Sequence, residues 1–518
     1  MARVILDEDL VRVWSVPAPG GTGAASKSHV ARMLYWGDEI DVTTPSELDD
    51  PACAKVNVQY YNYASGTIEP GTLRRKKAGG AYRPLKVRNT LLLRTIFVDV
   101  QQGDATIIQL PNREVMVVDV GEAKFLARLL AAMFPFTTAA SPLEIDALVV
   151  THGDADHSSG LVELEKAARL AAPTLLRKRI FVKVRRFFHN GLVKGPGTKT
   201  VNGEKVEVPP EEVFGQSVKV GRDWFITDLW SDPRLAPAKS QGYTDCCAAL
   251  TAMLTPPPGS QAPVVERLQA GQNGPLNTLM PPGLQVEVLG PVMDQVNGHD
   301  ALPVLRDTQG RSASQTINGH CVVLRLTHGN VSFLLGGDLN QASETRLSRY
   351  LQQHPEATLR AEILKVPHHG SHDFDPSFLN QVAPFVSIVS SGDDNAAREY
   401  VHPRANLLAA LGRASRGSAT AQPLIFCTEL AAFFEYKGKI TPEQHFTEPG
   451  GALTKLPASK LVPPFDAFER LVWGAVRCHT DGERVLVAVE SASATIKEAY
   501  AFRVDPAGTI TADEVELL

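Results

Sequence analysis

Seven consecutive residues, Thr151-His152-Gly153-Asp154-Ala155-Asp156-His157, gather two imidazoles and two carboxylates in one short loop. The loop lies between the apolar run Ile145 to Val150 and the helix-like Leu161 to Ala172. Neutral His nitrogen and ionised Asp oxygen are the usual ligands of zinc, manganese and iron, and crowding these groups without a cation costs repulsion and desolvation. His152 and Asp154 are two apart and point the same way from an extended turn, whereas the adjacent Asp156 and His157 diverge, so one loop can serve two neighbouring ions. The plainer alternative is a polar loop whose Asp156 or Ser158 caps the next helix, but capping needs one oxygen and leaves both histidines unexplained.

The same type of residue recurs where other apolar runs stop. Val115 to Val120 ends in Asp119-Val120-Gly121, Val331 to Leu335 in Gly336-Gly337-Asp338, and Glu362 to Val366 in Pro367-His368-His369-Gly370-Ser371. His189, closing the run Arg179 to Phe188, and His402 in Tyr400-Val401-His402-Pro403 are further candidates. A sheet that carries its site on one rim produces this recurrence. Each motif also has a structural reading: Gly-Gly-Asp as a turn, and His402 as a core histidine beside Tyr400 and Val401.

The elements that must position these groups follow from hydrophobic pattern. Residues 1 to about 90 mix short alternations such as Val11-Arg12-Val13-Trp14 and Lys55 to Tyr60 with turn residues, which predicts a small β-barrel, faintly similar to bacterial SH3-like domains. From residue 91 a meander is expected, with strands Thr95 to Val100, Ala105 to Leu110 and Val115 to Val120, Gly103-Asp104 forming the first turn. A helix over Ala123 to Phe134 and the strand Ile145 to Val150 lead into the metal loop. Residues 191 to 285 read as an irregular insertion, Pro/Gly-rich from Pro256 to Gly259 and from Pro281 to Gly283. Alternation then resumes with strands near Val286 to Leu289, Cys321 to Leu326, Val331 to Leu335, Glu362 to Val366, Phe385 to Val389, Leu424 to Thr428 and Ala432 to Tyr436. Helices are expected over Leu339 to Gln352, Pro376 to Val382 and Asn406 to Arg413, and residues 465 to 518 form a short β extension.

At 518 residues the chain has room for two or three domains, and 43% hydrophobic with 21% charged residues is the balance of an ordinary globular protein. No window holds eighteen uninterrupted apolar residues, and Met1 to Val4 runs straight into Asp7, Glu8 and Asp9, so no membrane association and a cytoplasmic location are expected. The six cysteines show no CxxC pair, as reduced thiols would not. A net charge of -5 excludes a global polycation. Local basic clusters do occur, Arg74 to Lys77 with Arg83, Lys86 and Arg88, and Arg177 to Arg179 with Lys183, Arg185 and Arg186. Such runs are solvated faces or phosphate contacts.

Taken together, Phe97-Val98-Asp99-Val100-Gln101-Gln102-Gly103-Asp104-Ala105, Val118 to Gly121, the HxDxDH loop, Leu334 to Asp338, Leu364 to Ser371 and Tyr400 to Pro403 resemble the metallo-β-lactamase fold hydrolases, and within them the hydrolase domain of the ComEC competence proteins, over residues 91 to 440. The resemblance implies an α/β fold, an αββα four-layer sandwich holding two divalent metal ions (zinc or manganese, with magnesium open). His152 and Asp154, with His189 as a third ligand, would hold one ion. Asp156, His157 and one of His368 and His369, with His368 the first choice, would hold the other. Asp338 would bridge them, and Asp119 would orient the ligand loop. Asp154, standing where most of the superfamily has His, tilts preference toward manganese or magnesium. Such a pair acidifies a bound water. His369 and His402 are the expected proton donors to the leaving group, with Asp156 at the reacting centre. Gln101 replaces a usual Gly and Cys321 a frequent Ser.

The expected activity is metal-dependent phosphodiester hydrolysis, with DNA as substrate and the N-terminal β module as guide or protein-docking surface. The alternatives are hydrolysis of a small ester, lactone, thioester or cyclic nucleotide, and a non-catalytic binding protein stabilised by its metals.

Overall fold

The computed structural model describes residues 1–17, 27–101, 103–201, 203–255, 261–392, 402–416, 423–429, 435–440, 445–447, 453–455, 465–469, 474–490 and 496–518. Pro256 to Gly259, Gln102, Tyr400, Val401 and the first residues of the strand expected over Ala432 to Tyr436 lie outside these.

Two sheets face each other across one apolar core. The larger, ten-stranded, runs Val264–Arg267, Arg186–His189, Ala147–Val150, Val115–Val120, Ala105–Gln109, Leu93–Phe97, Val476–Thr480, Arg484–Glu490, Ile496–Val504 and Ile510–Asp513. The smaller has six strands in the order Leu284–Gly290, Val323–His328, Val331–Leu335, Ile363–Lys365, Val386–Val389 and Leu424–Cys427. Phe97, Phe188, Met116 and Val149 of the first pack against Phe333, Leu324, Phe385 and Phe426 of the second. Helices Phe125–Met133, Gly160–Ala168 and Gln241–Leu254 pack on the outer face of the large sheet, and Gln341–Gln353, Pro376–Val382 and Ala405–Ala414 on that of the small one.

Both sheets change from antiparallel to parallel pairing in the same way. Ala105–Gln109 and Val115–Val120 are antiparallel, after which Ala147–Val150 and Arg186–His189 add in parallel. In the second sheet Val323–His328 and Val331–Leu335 are antiparallel, and Ile363–Lys365, Val386–Val389 and Leu424–Cys427 add in parallel. Parallel neighbours all end on one rim, and loops leaving carboxyl ends of strands are where open α/β sheets build sites. Strands buried on both faces also explain near-continuous runs such as Val115 to Val120.

The first ninety residues fold as a seven-stranded sheet from Val30–Tyr35 at one edge to Val87–Arg88 at the other. This corrects the expectation of a small closed barrel: no described pairing joins the two edges. Leu10 and Arg12 instead meet the C-terminal residues, with Leu10 N–H donating to Glu516 O at 3.2 Å and Arg12 N–H to Leu518 O at 3.0 Å. The Arg484 guanidinium binds Asp9 and Asp513, each at 2.7 Å, and His479 Nδ1 donates to Trp36 O at 2.6 Å. The C-terminal residues thus have a definite place: Val476–Thr480 pairs antiparallel with Leu93–Phe97 in the middle of the large sheet.

The stretch 191 to 285 is more regular than its sequence suggests. It contains the hairpin Thr198–Val201/Glu204–Glu207, the pair Ser217–Val220/Asp223–Ile226 and the helix Gln241–Leu254. All six cysteines are free thiols. No helix among the described residues is long and apolar enough to cross a membrane.

Candidate metal centre

Three imidazoles are fixed through Nδ1, so that Nε2 is the nitrogen each ring, when neutral, can offer to a metal. His157 Nδ1 lies 2.9 Å from Asp119 Oδ2, and a carboxylate only accepts, so Nδ1 carries the hydrogen. Asp119 is itself held by Thr151, whose N–H and Oγ1 donate to it at 2.7 Å each. With that hydroxyl hydrogen committed, Thr151 Oγ1 can only accept from His152 Nδ1 at 3.2 Å, with Cys321 Sγ nearby at 3.4 Å. His369 Nδ1 faces two acceptors, Ser390 O at 3.1 Å and Asp104 Oδ1 at 3.3 Å, so it also donates there.

The freed nitrogens converge on carboxylates. His157 Nε2 and His369 Nε2 are 3.4 Å apart, and Asp338 reaches them with Oδ1 at 3.2 Å and Oδ2 at 3.1 Å respectively. Asp156 Oδ2 is 3.3 Å from His369 Nε2 and 3.9 Å from His157 Nε2. Carboxylate oxygens ringing two nitrogens at that spacing demand positive charge between them, as protons on the rings or as a cation that displaces those protons. Against the effect of burial, the Asp338, Asp119 and Asp156 carboxylates push His157 well above the usual histidine range, and Asp338 with Asp104 does the same to His369. Burial opposes ionisation of Asp338, yet His157 and His369 hold it well below the usual carboxylate range. The cluster calls for positive charge, and this donor set suits a divalent ion.

Asp104 also brings an oxygen within 4.8 Å of His157, Asp338 and His369 donors. Its charge is already met: Oδ2 bonds the buried Lys365 ammonium, which also donates to Gly337 O at 3.1 Å, while Oδ1 faces His369 Nδ1. Asp104 is therefore a brace for His369, and Asp156 is the better fourth donor. Backbone shape supports the same centre. Asp119, His368 and His369 have φ of 58°, 49° and 51°, a left-handed region that costs a non-glycine residue about 1–3 kcal/mol.

His152 Nε2 is buried with no hydrogen-bond partner and lies 3.9 Å from Asp154 Oδ2. Asp154 Oδ1 is bound by the Lys194 ammonium. The next helix, Gly160–Ala168, has Ser159 at its cap position and no side-chain capping bond, so neither Asp156 nor Ser158 is there as a cap.

Two expected residues lie elsewhere. Both nitrogens of His189 are engaged, Nε2 with Ser231 O at 3.1 Å and Nδ1 by Gly191 N–H at 3.2 Å, and burial pushes the ring down to about 4, so it offers no lone pair to the cluster. His368 Nε2 is 3.2 Å from the Asn318 amide, while its neighbour takes the place against Asp338; the two rings exchange the positions expected of them. His402 stands by, its ring centroid 6.3 Å from His368 and 6.4 Å from His369, and burial with those two rings pushes it down to about 4.

The sequence reading passed over Lys365, Thr151, Ser390, Asn318 and Lys194, and took Asp104 as a turn residue. Lys365 carried a signal, since a lysine inside the buried strand Ile363–Lys365 needs an acid partner. The basic clusters have local uses. Arg75 is buried and donates to the carbonyls of Glu47, Asp50, Cys53, Tyr82 and Arg83, Arg74 stacks on Trp14, Arg185 pairs with Asp146, and Lys183 binds the carbonyls of Ala252 and Thr255.

Residues 98–177 match the Metallo-beta-lactamase superfamily. The chain is similar to ComE operon protein 3 of Bacillus subtilis (strain 168), 32% identical over 99 residues, which is 19% of this chain and 12% of that protein. It is likewise similar to Competence protein ComA of Neisseria gonorrhoeae, 35% identical over 88 residues, 17% of this chain and 12% of the relative. The chain thus spans 12% of the length of each of these relatives.

Proposed function

We propose that this chain, which carries a metallo-beta-lactamase superfamily region and resembles the ComEC-like competence proteins, is a metal-dependent phosphodiesterase, with DNA as its leading substrate. We read its two facing sheets with outer helices as the αββα sandwich of that superfamily. The observation that carries the reading is the 3.4 Å approach of two imidazole Nε2 atoms between Asp156 and Asp338. His157, His369, Asp156 and Asp338 would hold an ion, and two imidazoles with two carboxylates suit zinc or manganese. When bound, the metal supplies an acidified water and offsets charge on the substrate's oxygens. Asp119 and Asp104 keep the two rings in the tautomer that leaves Nε2 bare. His402, beside His368 and His369, would exchange a proton with a leaving group at that rim.

A second reading, hydrolysis of a small ester, lactone, thioester or cyclic nucleotide, draws on the local uses found for the basic clusters, because arginines such as Arg75 and Arg185 are committed to protein partners. Purified protein with Mn²⁺ is to be assayed on single- and double-stranded DNA, RNA and bis-p-nitrophenyl phosphate, beside Asp156→Ala and His157→Ala. Cleavage of DNA that both substitutions abolish is expected. Turnover of the chromogenic ester alone favours the small substrate, and metal binding with no turnover of any substrate overturns both readings.

A further inference from the structure

The HxDxDH loop offers two half-sites, and their surroundings differ. On one side Asp156, His157, Asp338 and His369 supply two nitrogens and two carboxylates, with the Lys365 ammonium bound to Asp104 and 4.0 Å from Asp338 Oδ1. On the other, His152 Nε2 is bare, His189 is turned to Ser231 and Gly191, and Asp154 is already bound by an ammonium.

That ammonium is delivered by a fixed piece of backbone. Beyond the strand Arg186–His189, Asn190 accepts Leu192 N–H at 3.1 Å and donates to His320 O at 2.9 Å. Leu192 and Val193 are buried. Lys194 O accepts Ser240 N–H at 2.9 Å, and Gly195 N–H donates to Val213 O at 2.8 Å. Lys194 is thus pinned on both sides, and its side chain, 39% exposed, reaches Asp154, 19% exposed, from the open edge of the site. The loop whose histidine was expected to complete this half-site completes it with a lysine. A lysine ammonium is a compact charge with three donors and no acceptor, so it neutralises Asp154 while repelling a metal ion placed on the same carboxylate.

We propose that Lys194 takes the place of the second metal ion: the chain binds one ion tightly among Asp156, His157, Asp338 and His369, and the Lys194 ammonium on Asp154 supplies the positive charge of the half-site at His152. This rests on the metal-dependent reading above and sharpens it to one metal and one lysine.

The test is metal stoichiometry. Metal-stripped protein is titrated with Mn²⁺, bound equivalents are counted by elemental analysis after gel filtration, and the manganese resonance spectrum separates an isolated ion from a coupled pair. The wild type and Lys194→Arg, which keeps the charge, are expected to retain one equivalent with an isolated-ion spectrum. Lys194→Met, which frees Asp154 beside the bare His152 nitrogen, is expected to retain two with a coupled spectrum; thermal melts check that each variant is folded. Two tight equivalents in the wild type overturn the proposal and leave the metal-dependent reading standing. One equivalent in both wild type and Lys194→Met overturns it as well, because the lysine is then not what keeps the second ion out. No bound metal in any variant overturns the proposal and the metal-dependent reading together.

Discussion

Asp119 has only lone pairs to offer, and three donors meet on it: Thr151 N–H, Thr151 Oγ1 and His157 Nδ1. It sets the tautomer of His157 directly and that of His152 through the threonine hydroxyl. Asp119→Asn keeps the shape but can present a hydrogen where one must be accepted, and a roughly 10- to 100-fold loss of Mn²⁺ affinity is expected, read by competition with a chromogenic chelator. The two adjacent histidines separate cleanly: His369→Ala should lose the tightly held ion, while His368→Ala, whose ring faces Asn318, should retain it, both measured by elemental analysis. The Asp104–Lys365 pair is buried on both sides, so Lys365→Met strands a carboxylate and is expected to destabilise the fold by about 3–5 kcal/mol in urea denaturation. Asp104→Asn combined with Lys365→Met should recover much of that loss.

At the level of elements, the site depends on backbones that touch. A Cβ on Gly160 would lie 2.1 Å from Val120 O, so the helix Gly160–Ala168 starts flush against the end of the strand carrying Asp119. Gly160→Ala should lift the helix and the ligand loop before it, with about 1–3 kcal/mol lost in denaturation and metal retention lowered in parallel. Such contacts bear on how much was readable beforehand. Strands buried on both faces announced themselves by apolar runs, and Val115–Val120 and Val331–Leu335 stand where those runs predict; the helix Pro376–Val382 also stands where its pattern puts it. Ligand-type residues at their ends were visible for the same reason, because a polar residue closing a buried strand has little other use. Tautomer-setting partners were not visible: Thr151 and Ser390 are ordinary residues until the fold puts an imidazole beside them. The helix Gln241–Leu254 was hidden by its Gly, Tyr, Thr and Cys content, and the strand Val476–Thr480 by a partner that lies far away in sequence. Nor could spacing tell which of two neighbouring histidines turns inward, since both have left-handed backbones and only Asn318 and Ser390 separate their rings.

For the molecule as a whole, three buried histidines that take no part in the cluster make stability depend on pH. Burial pushes His189, His320 and His479 each down to about 4 from an ordinary 6.5. An imidazole with a depressed pKa binds its proton more readily in the unfolded chain, so the stabilisation is complete above about pH 6.5 and is lost as pH falls from there toward 4. Each can contribute up to roughly 3 kcal/mol across that window. Urea midpoints taken between pH 7.5 and 4.5 should fall steeply, and His479→Asn, which keeps a donor for Trp36 O, should flatten the curve. The pairing of Leu93–Phe97 with Val476–Thr480 carries a further consequence. While the chain emerges from a ribosome, the rim that supplies Asp119, His152 and His157 exists well before the strand that covers its sheet's open side. Until that strand arrives, Leu93–Phe97 presents an unpaired apolar edge, the kind that sticks to other nascent chains. Yield in a cell should therefore depend on chaperones that shield this edge during synthesis, and stop codons placed just before residue 474 should give aggregates even though every metal-binding residue has already been made.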